Sequence, residues 1–136
     1  MSADAFKSEV AAKLPAQYEP LLLTFYGLES QVNRGMLVIG DDYGTELCLD
    51  LSSGNIQSID PNSEHPTRFM NSSIAQLAQF IATHDRLVSK LTVDADTDLS
   101  SQLELLRSSL LATDQVALAR PENWWSTVLE QLEYEI

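Results

Sequence analysis

The sequence predicts an α+β fold: an antiparallel or mixed sheet of about four strands at residues 35–70, packed by flanking N- and C-terminal helices. Three observations lead there. Apolar residues recur at intervals of three and four near both ends of the chain, as a helix burying one side requires. The middle alternates every second residue and is punctuated by glycine-bearing turns. The order is helices, then a strand meander, then helices, and so lacks the regular alternation of a parallel α/β sheet.

Phe6, Val10 and Leu14 mark a helix over residues 2–13, which Pro15 ends. Tyr18, Leu21, Leu22 and Phe25 predict a second short helix over residues 16–26, closed by Gly27 as a cap. Met36-Leu37-Val38-Ile39, bounded by Gly35 and Gly40, reads as a buried strand. Asp41-Asp42-Tyr43-Gly44 supplies a hairpin turn. Residues 45–51 then alternate, with Leu47, Leu49 and Leu51 facing the core and Glu46, Cys48 and Asp50 facing water.

Ser52-Ser53-Gly54-Asn55 turns the chain into a third strand over residues 56–60, and residues 61–66 form a polar loop. Arg68-Phe69-Met70 is a short further strand before Asn71-Ser72-Ser73, which suit a helix start. The next helix carries Ile74, Leu77, Ile81, Leu87, Val88 and Leu91 in one stripe. Residues 94–98 break it. Leu99, Leu103, Leu106 and Leu110 mark another helix, and Pro121-Glu122 open a last one with Trp125, Val128, Leu129, Leu132 and Ile136 inward.

A length of 136 residues favours one domain, residues 1–136, able to bury roughly 65–70% of its unfolded surface. The net charge of −12 repels nucleic acid and anionic lipid and attracts basic partners. Between Arg34 and Arg68 there is no lysine or arginine, yet Asp41, Asp42, Glu46, Asp50, Asp60 and Glu64 all lie there. Residues 1–10 lack the apolar run of a signal peptide, and the apolar run at residues 21–26 is too short to span a bilayer. The expected compartment is therefore the cytoplasm.

Catalytic and metal-binding patterns are weak. Asp94-x-Asp96-x-Asp98 opens like a calcium loop, but Leu99 stands where glycine is needed and Leu105 where a bidentate glutamate is needed. Asp98 is better placed to cap the following helix. His84 has Phe80 and Val88 at the helical ligand spacing, His65 sits in a polar loop, and Cys48, with no histidine near it in sequence, reads as a small buried or half-buried packing residue rather than a nucleophile. Asp41, Asp42 and Glu46 cluster at one turn, where hydration disfavours the tuned pair that acid–base catalysis needs. No cofactor and no metal site is expected. Trp125 joins the core stripe, while Trp124 either packs at the domain's edge or anchors a partner.

Leu14-Pro15-Ala16-Gln17-Tyr18, Leu37-Val38-Ile39-Gly40-Asp41-Asp42-Tyr43-Gly44 and Leu49-Asp50-Leu51-Ser52-Ser53-Gly54-Asn55-Ile56 form one ordered set of segments. Phe69-Met70-Asn71-Ser72-Ser73-Ile74 and Glu122-Asn123-Trp124-Trp125 continue it. Together they resemble the SUKH superfamily, bacterial immunity proteins related to a fungal cell-wall synthesis regulator. The resemblance implies a non-enzymatic α+β domain that binds and neutralises a cognate toxin, often a nuclease. It implies that Gly40, Gly44 and Gly54 shape turns and that Asn71 with Ser72 starts a helix.

The resulting expectation is an immunity protein that docks a basic toxin domain through Asp41, Asp42, Tyr43, Glu46, Asp50, Asp60, Glu64 and Trp124. Two other classes remain open on size and charge: a type III secretion chaperone holding an effector segment, and a small hydrolase using the carboxylates at 41–46.

Overall fold

The computed structural model describes residues 2–94 and 98–134. Asp96, expected in an acidic linker, and Ile136, expected on the last helix, lie outside the described residues. Helix α1 (Ala3–Lys13) begins where the Ser2 hydroxyl accepts the Ala5 amide hydrogen and stops before Pro15, burying Phe6 and Val10.

Seven strands follow among the described residues, more than the four expected, and all pair antiparallel. They are β1 (Gln17–Tyr18), β2 (Leu23–Phe25), β3 (Gln31–Asn33), β4 (Met36–Asp42), β5 (Thr45–Asp50), β6 (Ile56–Ile59) and β7 (Thr67–Asn71). The sheet runs β1-β2-β4-β5-β6-β7, with β3 paired to the first half of β4 on the edge whose second half pairs β2. The extra strands come from residues 17–33, and the expected helix over residues 16–26 is wrong. Pro20 sits there in a 3₁₀ turn (Glu19–Leu21), and Leu22 takes a left-handed conformation at φ 55°. Leu23 and Phe25 then face the core at period two, which serves β2 as well as the spacing 18, 21, 22, 25 would have served a helix.

Gly40 also departs from expectation. It shapes no turn; it stands within β4, and a Cβ there would lie 2.1 Å from the Thr24 carbonyl oxygen of β2. A bulge beside it gives β4 an extra residue, so that Gly40 faces Leu47, Asp41 faces Glu46 and Asp42 faces Thr45. The actual turn is Tyr43-Gly44, both at positive φ (47° and 99°), the two-residue geometry that joins twisted antiparallel strands.

Helix α2 (Ile74–Val93) starts at Ser73, whose hydroxyl accepts the Gln76 amide hydrogen. Asn71 and Ser72 instead hold Asp114: its carboxylate accepts from the Ser72 amide and hydroxyl, each at 2.8 Å, and from the Asn71 side chain at 3.2 Å. Helix α3 (Leu99–Thr113) is capped by Asp98, as expected. Helix α4 (Trp124–Tyr134) begins beyond Pro121-Glu122, which lie in the turn preceding it. The helices bury Leu77, Phe80, Leu103, Leu110, Trp125 and Leu129 against Leu37, Ile39, Leu47, Leu49, Ile56 and Met70 of the sheet in one cluster. On the sheet's other face Thr24, Val38, Asp41 and Gln57 are half-buried and Glu46 is exposed. Cys48, between Val38 and Gln57 on this face, is a buried packing residue as expected, only 3% exposed, so the face is not wet along its whole length.

Candidate functional site

The register gathers most of the expected site residues at one end of the sheet. Strands β4 and β5 meet at Tyr43-Gly44, Glu46 pairs Ile59, and Ile59 pairs Thr67. The hairpin tip and the loop at residues 60–66 therefore share an end, bringing Asp41, Asp42, Tyr43, Glu46, Asp60 and Glu64 into one region. Asp50 does not join them. It pairs Met36 at the opposite end, where its Oδ1 accepts from the Ser52 amide at 2.8 Å and hydroxyl at 2.6 Å, bonds that hold its carboxyl below the usual aspartate value.

Asp41 and Asp42 are strand residues rather than turn residues, and alternation sends them to opposite faces. Asp41 lies on the open face, where the Tyr26 hydroxyl donates to its Oδ2 at 2.7 Å and the Gly44 amide to its Oδ1 at 3.2 Å. That bond to Asp41, then burial and the charges of Asp41 and Glu46, push the Tyr26 hydroxyl up to about 12. Asp42 turns inward, and its Oδ2 accepts the Trp124 indole N–H at 2.8 Å. Burial raises the Asp42 carboxyl above its ordinary value, the indole bond offsets part of that, and Asp41 adds to it. Trp124 is only 6% exposed and stacks edge-on against Trp125, so it reaches this end through Asp42 rather than by an exposed ring.

Tyr43 is 83% exposed at the tip. Leu22, exposed beside it, accepts the Tyr43 amide hydrogen through its carbonyl. On the open face, Val38 and Glu46 border a groove of about 530 Å³ with Tyr26 and Glu29. Leu22 and Tyr26 were not among the expected site residues, because both fell inside the misread helix. Behind the tip, Asp42, Ser58, Asp60, His65, Arg68 and Trp124 border a polar cavity of about 330 Å³.

Of the remaining candidates, Cys48 and His84 are both buried. Burial, with a contribution from Glu46, pushes the Cys48 thiol up to about 11, so it is protonated at neutral pH. His84 is buried, its Nδ1 2.6 Å from the Tyr18 hydroxyl. Burial lowers its basicity while Asp85 opposes this, and which of the two atoms donates in the Tyr18–His84 bond follows the ring's tautomer. Among the described residues no group of three or more His, Cys, Asp or Glu is placed to hold a metal ion, and no helix is long and apolar enough to cross a membrane.

The architecture is thus that of an α+β protein with a helix-backed antiparallel sheet and an acidic, tyrosine-tipped end. The SUKH-4 immunity protein family matches residues 24–131, and the chain belongs to that family. No curated protein and no solved structure matches it.

Proposed function

We propose that this chain, acting as one domain in a bacterial cytoplasm, binds a cognate toxin and neutralises it without chemistry of its own. Docking is assigned to the acidic end of the sheet: Asp41, Tyr43, Glu46, Asp60 and Glu64, with Asp42 and Trp124 behind them. The observation that carries this reading is Asp41 directly opposite Glu46, in a stretch from residue 35 to 67 without a lysine or arginine. Like charges facing across a strand pair are unfavourable, and a basic partner relieves that repulsion. Tyr43 adds support: an exposed aromatic at positive φ costs stability and buries nothing in the free protein.

A toxin that acts on nucleic acid suits this surface, because a nuclease cleft is basic and an acidic inhibitor occupies it with fast, salt-sensitive association. The family match favours this reading over a secretion chaperone. The apolar stripes of α2 and α3 also point into the core rather than toward a partner.

The test is the affinity for the toxin encoded beside this gene, measured across a salt series with Glu46→Lys and the Glu46→Lys/Glu64→Lys pair. Each reversal is expected to weaken binding by about tenfold and to flatten the salt dependence. Unchanged affinity for a genuine cognate toxin would remove this docking face.

A further inference from the structure

Ser58 sits on β6 opposite Leu47 and Arg68, is 3% exposed, and its hydroxyl bonds to none of the described residues. A buried hydroxyl is rarely left unpaired unless water or a ligand completes it. It borders the polar cavity behind the hairpin tip, whose volume of about 330 Å³ is roughly ten times a water molecule's share of liquid, ~30 Å³. The pocket opens to solvent and has room for several waters.

The charged groups around this cavity leave acceptors free. Asp42 uses Oδ2 for the Trp124 indole, and Asp60 uses Oδ1 for the Asn62 amide, so each retains a second carboxylate oxygen. Arg68 pairs with neither acid; its Nη1 donates to the Glu122 carbonyl at 2.7 Å. His65 is exposed at the margin. An anion would meet two carboxylates. Among the described residues no group of three or more His, Cys, Asp or Glu is placed here to hold a metal ion. A guanidinium carries five donors and no acceptor, matching two carboxylates and a hydroxyl.

We propose that this cavity receives an arginine side chain of the bound protein, with its guanidinium set between Asp42 and Asp60 and hydrogen-bonded to Ser58. The inference rests on the reading of the chain as a binder of a basic toxin domain and adds the pocket that reads it. Consecutive residues then serve one partner from two faces, Asp41 on the open face and Asp42 in the cavity.

The two indole N–H groups report on it directly. That of Trp124 bonds Asp42 at the cavity, and that of Trp125 bonds the Asn71 side chain inside the core at 2.8 Å. The full chain, labelled with nitrogen-15, is titrated with N-acetyl-arginine methylamide, with the norleucine counterpart and acetate as controls. A saturable shift of the Trp124 indole signal with arginine alone, and an unmoved Trp125 signal, is the expected result. Asp60→Asn is expected to weaken that binding about tenfold, the scale of one charged hydrogen bond, while the Trp125 signal confirms that the variant is folded. No saturable shift, an equal response to norleucine or acetate, or full affinity in Asp60→Asn overturns the pocket. Glu46→Lys, on the other face, separates the two readings. Normal toxin binding with a failed arginine titration removes the pocket alone, and toxin binding indifferent to Glu46→Lys removes the docking face.

Discussion

The Trp124 indole donates to Asp42 Oδ2 at 2.8 Å across 82 positions of sequence, tying the first residue of α4 to the last of β4. The bond positions α4 against the hairpin and leaves a half-buried carboxylate dependent on a single donor outside the backbone. Trp124→Phe keeps the aromatic bulk and removes that donor. Its stability in urea is expected to fall by about 1–3 kcal/mol, and an unchanged midpoint would show that the bond contributes nothing.

Asp42→Asn separates charge from geometry, because an amide oxygen still accepts the indole hydrogen. The Asp42 carboxyl is raised in the fold above its ordinary 3.8, so the folded state binds its proton more tightly than the unfolded chain does. The native carboxylate therefore costs stability at neutral pH, and that cost is relieved as pH falls through the raised value. Asp42→Asn should be at least as stable as the native protein at pH 7, with its advantage shrinking as pH falls toward 3.8. An advantage that grows on acidification would contradict the raised value.

Gly40 permits the close approach of β2 and β4. With the Thr24 oxygen 2.1 Å from where an added Cβ would stand, Gly40→Ala has to separate two backbones rather than move a side chain. Thermal unfolding should show a loss of about 3 kcal/mol. A near-native melting temperature would mean that the bulge absorbs the extra carbon.

Tyr43 predicts opposite effects on stability and binding. Asparagine tolerates positive φ better than tyrosine does, so Tyr43→Asn should stabilise the free protein by up to about 1 kcal/mol. The same change should slow association with the toxin or hasten release. Gains in both stability and affinity would remove Tyr43 from the interface.

His84 makes the fold acid-sensitive in a defined direction. Its basicity is lowered by burial, so between its folded value and the ordinary 6.5 the unfolded state holds more protons. Its contribution is complete above pH 6.5 and is lost as pH falls through that window. His84→Gln should flatten this part of the stability profile relative to the native protein, whatever its overall stability; an identical slope would place the titration elsewhere.

Local pattern made much of the architecture legible. The stripe from Ile74 to Leu91, the alternation of Leu47 and Leu49, and the turn residues at 43–44 and 52–55 each depend on neighbours close in sequence. Residues 16–26 were not legible, because Tyr18, Leu21, Leu22 and Phe25 fit a helical spacing while Leu23 and Phe25 fit a strand equally well. Pairing with Gly40, Asp41 and Asp42 selects the strand. The candidate site divides similarly: its acids were visible as a base-free run, but Tyr26, Leu22 and Ser58 reach it only through strand pairing.

The α+β order, the family resemblance and a stretch of six acids without a compensating base are all legible along the chain. Where those acids point depends on how the strands pair. One extra residue in β4 reverses the facing of everything after it, because side chains alternate with a period of two. That bulge puts Asp41 beside Glu46 on the open face, turns Asp42 in to Trp124, and leaves Asp50 at the far end, bound to Ser52.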